Sequence, residues 1–253
     1  MNNRIGEKFT TKEGYSVLIV EYNNRRDVLI EFQDEYKARV HTTYGNCKKG
    51  EIKNPYHPTV CGVGYIGVGK YKSTIDGKIT KEYQEWQAML HRCFDKKVEE
   101  HRPTYKNAMV EEWLFNFQNY CSWRKENYYE IEGEKMCLDK DILCKHNKIY
   151  SRDTMIFVPE RINVLFTRRQ NDRGIYPIGV CVKHLKNIDR YQARCQTLDG
   201  RKNLGFYDTP EEAFIAYKTF KEQYIKQVAD EYRDKIPDKL YKAMYSWEID
   251  IDD

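Results

Sequence analysis

The interval from Asp199 to Pro210 leaves this chain the least freedom. Asp199-Gly200 is a strong signal for a tight hairpin turn. Thr209-Pro210 marks a helix start: the Thr hydroxyl accepts an N–H of the first turn, and Pro pre-sets φ where no N–H is needed. Lys202–Tyr207 must therefore be a strand running from a turn into a helix. Upstream, Ile178–Lys183 and Tyr191–Thr197 read as two more strands. Downstream, Ala213, Phe214, Ala216, Tyr217 and Phe220 recur at helical spacing, in a helix that extends to about Arg233. Three antiparallel strands packed on one helix make a complete small fold, expected over 175–253 with a C-terminal helical extension.

A second ordered stretch is Leu138–Gln170. Leu138–Leu143 alternates apolar and charged residues, as a half-buried strand does. Cys144–Lys148 is a polar turn in which Asn147 tolerates a left-handed backbone. After Ile149 and Tyr150, Met155–Val158 reads as a second strand, and Pro159 opens a helix to about Arg169 with Ile162, Leu165 and Phe166 on one face. Such a ββα unit is too small to bury a core alone.

Residues 1–61 read as a small all-β, barrel-like (Tudor-like) module with strands Ser16–Tyr22, Asp27–Asp34 and Tyr36–Tyr44. Residues 62–79 read as a linker. They include GVGYIGVGKY, which has GxGxxG spacing, but the polar stretch after it opens no helix to meet a pyrophosphate. The glycines therefore signal flexibility or a close backbone approach, and nucleotide binding is rejected. Thr80 caps a helix carrying Tyr83, Trp86, Met89 and Leu90, and after Pro103 a second helix is expected over Ala108–Trp123. The helical part and the ββα unit together form an expected domain, 80–174.

The net charge of +4 hides an asymmetry. Glu160–Phe206 holds ten Lys or Arg against four Asp or Glu, a balance of +6; Tyr207–Asp253 holds seven against twelve, a balance of −5. A basic block beside an acidic one suits an anionic partner on one face. The eight cysteines include no CxxC pair, and no apolar run approaches membrane-spanning length. Reduced thiols in a cytoplasmic protein without membrane contact are the expectation.

Two family resemblances sharpen this reading. Leu138, Asp139, Lys140 and Asp141, then Tyr150 and Ser151, then Phe157, Val158, Pro159 and Asn163 resemble the ordered blocks of phage HNH (ββα-metal) homing endonucleases. Tyr83, Trp86, Met89, Arg92, Cys93, Tyr105, Val110, Trp113 and Phe117 resemble the segment that precedes them. The resemblance implies metal-dependent DNA cleavage with Asp139, Asp141, His146 and Asn163 as the catalytic set, and Asp139, Asp141 and Asn163 as oxygen ligands for Mg²⁺ or Mn²⁺. Lys140 or Asp141 stands where the family places its histidine, and Thr154 where it places its central asparagine. Gly179, Val180, Tyr191, Ala193, Leu204, Gly205, Asp208, Thr209, Glu211, Glu212, Ala213, Ala216 and Tyr217 resemble the Apetala-type DNA-binding domain. In that family the sheet enters the major groove, which implies duplex contacts from Lys183, Arg190, Arg194, Gln196 and Lys202. Cys181 and Tyr191 replace the strand Arg and Trp of plant members, and this leaves sequence preference open.

The expectation is thus an α+β chain with three parts: a β-barrel-like start, a helical plus HNH-like middle, and a three-stranded sheet on a helix. Two functions follow. One is a phage homing or nicking endonuclease, with double-stranded DNA as partner and Mg²⁺ or Mn²⁺ as cofactor. The other is a catalytically inactive HNH scaffold without cofactor, which binds nucleic acid or a host defence protein as a regulator or antagonist. Either would work in the host-cell cytoplasm.

Overall fold

Alternating apolar residues fold the start of the chain into an antiparallel meander, seen in a computed structural model that describes residues 4–167, 175–185 and 188–253. Its strands are β1 (Lys8–Thr10), β2 (Ser16–Asn24), β3 (Asp27–Phe32) and β4 (Arg39–Thr42), paired in that order. Val17, Ile19, Val28, Ile30 and Phe32 are fully buried at alternate positions of the two central strands. The sheet stays open, which corrects the barrel-like expectation: β1 and β4, with three and four residues, are edges that do not pair with each other. Tyr44 also leaves the strand expected for it. The Thr43 hydroxyl accepts the Asn46 N–H at 3.1 Å and starts α1 (Tyr44–Lys49).

The glycine stretch is a close backbone approach. A Cβ on Gly64 would lie 2.3 Å from the Leu90 side chain, and the Gln118 amide donates to the Ile66 and Tyr71 carbonyls. A two-residue hairpin pair, β5 (Thr74–Ile75) and β6 (Lys78–Ile79), leads to α2 (Lys81–Phe94), capped by Thr80 as expected. A short α3 (Lys96–His101) follows. The single helix expected over Ala108–Trp123 is instead β7 (Met109–Val110), a 3₁₀ turn Glu112–Phe115, and α4 (Phe117–Asn127). Asn116 decides where α4 begins: its side-chain oxygen accepts the Gln118 N–H at 3.0 Å. These elements make up the first of two compact units, Met1–Glu126.

The second unit, Asn127–Asp253, contains both stretches that anchored the sequence reading. Strand β8 (Met136–Asp139) pairs antiparallel with β10 (Ile156–Pro159), with Ile156 opposite Asp139; β9 (Ile149–Tyr150) lies between them in sequence. The expected strand Leu138–Leu143 stops at Asp139 because that carboxylate accepts the N–H groups of Asp141 and Ile142, both at 2.8 Å, and bends the chain. The helix expected from Pro159 is α5 (Glu160–Asn163) followed by a 3₁₀ turn Val164–Phe166 that ends at an extended Thr167; Arg168 and Arg169 lie outside the described residues. Strands β11 (Val180–Leu185), β12 (Ile188–Thr197) and β13 (Gly200–Tyr207) form a sheet in that order. Helix α6 (Pro210–Glu231) begins with a reciprocal cap: Thr209 accepts the Glu212 N–H, and the Glu212 carboxylate accepts the Asp208 N–H. Helix α7 (Asp238–Tyr245) follows.

One core joins the ββα stretch to the C-terminal helices. Ile156, Val158, Ile162 and Leu165 pack with Ile225, Val228, Leu240 and Met244. A second core lies between the sheet and the first half of α6, around Val180, Ala193, Cys195, Phe214 and Tyr217. The chain is α+β, and among the described residues no helix is long and apolar enough to cross a membrane.

Candidate nucleic-acid interface

Strand alternation sorts the C-terminal sheet into two faces. Tyr191, Ala193 and Cys195 of β12 belong to the core beneath α6, so Arg190, Gln192, Arg194 and Gln196 occupy the opposite face. Register extends that face to the neighbouring strands: Lys183 pairs with Arg190, Cys181 with Gln192, Asn203 with Arg194, and Arg201 with Gln196. A bulge between Ala193 and Arg194 places Leu204 in the core and brings Phe206 opposite Gln192. The outer face therefore carries Lys183, Arg190, Arg194 and Arg201 with no carboxylate among the strand residues that share it.

The cations are held to different degrees. Arg190 pairs with Asp208 and donates to the Phe206 carbonyl at 3.3 Å. Arg194 lies over Cys181 and donates to its sulfur. Lys183, Arg201, Gln196, Asn203 and Phe206 are exposed. Four of the five residues expected at the groove, Lys183, Arg190, Arg194 and Gln196, thus share one face.

Lys202 does not. It pairs with Cys195 on the face towards the helix, and its ammonium lies 4.6 Å from the centre of the Phe220 ring. The hairpin closes on Thr197 opposite Gly200, so between the bulge and the turn each even residue of β12 faces an odd residue of β13. Arg201, not Lys202, is the partner of Gln196. Counting from the turn would have found Arg201 in the sequence.

The carboxylate stretch has a different geometry. Asp139 is partly buried at the end of β8, with one oxygen accepting both N–H bonds of the turn. Burial, reinforced by the Asp141 charge, pushes its carboxyl up to about 6 against the opposing pull of those bonds. Lys140 is only 5% exposed, 3.2 Å from the Asp141 carboxylate and beside the Tyr150 ring. In the turn, His146 is the residue with a left-handed backbone (φ 66°), while the Asn147 amide donates to the Lys140 and Ile149 carbonyls. Asn147 fastens the turn by its side chain rather than by its own φ.

His146 lies on the far side of this turn, with Nε2 3.7 Å from the Asp253 carboxylate. Asp250 completes a His146–Asp250–Asp253 group whose ligand atoms lie within 4.8 Å of one another. A cation of the chain already serves it: Lys145 pairs with both Asp250 and Asp253 and donates to the Glu248 carbonyl at 2.8 Å. Among the described residues, Asp139, Asp141 and His146 form no comparable group, and no hydrogen bond joins the Asn163 side chain to either carboxylate. Of the expected ligand set Asp139, Asp141 and Asn163, one Asp139 oxygen is thus engaged by the turn and Asp141 is paired with Lys140.

The chain matches no protein-family model, no curated protein and no solved structure.

Proposed function

We propose that the chain binds double-stranded DNA through the outer face of β11–β13, and that the ββα stretch serves as scaffold. The observation that carries this is the register-matched row of Lys183, Arg190, Arg194 and Arg201, among strand residues that include no carboxylate; Asp208, just past β13, pairs with Arg190 alone. A β-sheet is a known shape for groove entry, and Arg offers two-point geometry to guanine or phosphate. Gln196 and Asn203 add amides able to read adenine, and Phe206, 47% exposed, offers an apolar contact for a thymine methyl. Four phosphate-neutralising cations would give a log–log salt slope of about −3 to −4. Fluorescence anisotropy of a labelled duplex over a salt series tests this. Binding that is absent at low salt, or insensitive to salt, removes the proposal.

A second reading, metal-dependent nicking, draws on one observation: a carboxyl pushed up to about 6 stands beside a second carboxylate in a ββα setting. Nicking of supercoiled plasmid in Mg²⁺ or Mn²⁺, lost in Asp139→Ala and His146→Ala, would establish it over the scaffold reading.

A further inference from the structure

Among the described residues three basic residues are buried: Arg124, Lys140 and Lys221. Arg124 is paired with Glu85 at 2.6 Å and with Glu82 at 3.3 Å, and Lys140 with Asp141 at 3.2 Å. Lys221, in the middle of α6 and 6% exposed, has neither a hydrogen bond nor an ion pair with any described residue. A buried ammonium without a counter-charge is unfavourable, so such groups are normally paired. Burial accordingly lowers the Lys221 pKa, and the one ionisable neighbour that opposes this, the Cys195 thiol, is itself pushed up by burial.

The surroundings of Lys221 explain why a lysine could be useful there. Strand β12 runs on past the start of β11: the last ladder pair is Val180 with Ala193, followed by one bond from the Arg194 N–H to the Gly179 carbonyl. Beyond it β12 has an open edge, and ladder alternation turns the Gln196 N–H towards that notch. A cavity of about 600 Å³ occupies the place. Its lining includes the polar Lys221, Arg194, Arg201 and Gln196, and the aromatic Phe166 and Trp247, packed edge-on with centroids 4.6 Å apart. Its one carboxylate, Asp253, is held by Lys145 at 2.9 Å. The volume is that of a small-molecule site, and its chemistry is that of an apolar body carrying an anionic head.

We propose that this notch binds a small organic anion, a carboxylate or phosphate monoester on an aromatic or aliphatic body, with Lys221 receiving the head group. The ligand supplies a counter-charge to Lys221, which no described residue pairs with, and Arg194 and Arg201 add cations to the same lining. The site stands whether or not the sheet binds DNA.

Thermal denaturation of the full chain with benzoate, adenosine 5′-monophosphate and inorganic phosphate tests the proposal, with benzyl alcohol and adenosine as uncharged controls. The melting temperature rises with the concentration of benzoate or of the nucleotide, and the better of the two identifies the head group. The uncharged controls leave it unchanged, and Lys221→Met, which fills the same space without charge, abolishes the rise. Amine acetylation read by mass spectrometry at Lys221 gives a second measure on the unaltered protein. The bound anion slows it about tenfold when present at roughly ten times its Kd. No shift and no protection with any anion, an equal shift with the uncharged controls, or a shift retained in Lys221→Met would overturn the site.

Discussion

Lys202 stands opposite Cys195 in the β12–β13 ladder, and its ammonium rests against the Phe220 ring of α6. A lysine one residue from the outer cation row therefore works on the inner side of the sheet, and the pair Arg201 and Lys202 separates the two faces experimentally. Under the DNA-binding proposal, Arg201→Ala lowers the salt slope by about one and weakens duplex binding at every sequence. Lys202→Ala leaves the slope unchanged and lowers stability by less than about 1 kcal/mol, the usual worth of an exposed cation–aromatic contact. Anisotropy titrations at several salt concentrations, with a urea melt of each variant, check both. Equal loss of binding in the two variants would mean that the faces do not divide the work.

Asp139 gives a stability change of definite sign. Its carboxyl keeps its proton up to about 6 in the folded protein, whereas an unfolded Asp releases it near 4. Between those values the folded state holds the additional proton, so this group makes stability fall as pH rises from about 4 to about 6, and the loss persists above. Asp139→Asn retains an oxygen for the Asp141 and Ile142 N–H groups and removes the charge. It should raise stability by about 1–3 kcal/mol at pH near 7.5 and change it little near pH 4. Urea unfolding at the two pH values checks this; a gain at low pH only would reverse the sign.

Asn163 tests the metal-site reading. A buried amide bridging the carboxylates would cost roughly 1–3 kcal/mol on truncation. The side chain is only partly buried and bonds to neither carboxylate, so Asn163→Ala should change stability by less than about 0.5 kcal/mol. Wild type and variant should respond alike to millimolar Mg²⁺ or Mn²⁺ in a thermal melt. A metal-dependent rise present only in the wild type would restore the nuclease reading.

These outcomes mark where the sequence was legible. The three C-terminal strands, the Thr209 cap, the α2 start at Thr80 and the buried face of Ile162 and Leu165 followed from periodicity and capping chemistry, which act within a few residues. Missed features depended on side chains competing with the backbone. Asp139 stops a strand whose apolar alternation continues to Leu143, and Asn116 delays a helix whose periodicity begins at Ala108. Lys221 is a harder case. On a helix it reads as one more surface charge, and only the packing of the β12 notch against α6 shows it buried.

The tightest steric test of the C-terminal fold is Gly179. Its φ of +81° lies where an L side chain is strained, and a Cβ there would fall 2.1 Å from the Tyr217 ring. Tyr217 is itself in the core beneath the sheet, flanked by Val180 and Ala213. The ring can withdraw only by giving up its contacts with that core. The Gly179 carbonyl also accepts the Arg194 N–H at 2.8 Å, so displacing this backbone would loosen the last bond that ties β11 to β12 at the notch. Overpacking and the left-handed φ add, and Gly179→Ala should destabilise the second unit by about 2–4 kcal/mol. Tyr217→Leu in the same background removes the ring that the new methyl meets but leaves the φ penalty. The double variant should therefore lose less than the sum of the two single changes, which a denaturant-based double-mutant cycle measures. Additive losses would show that backbone strain alone, and not contact with Tyr217, demands glycine at this position.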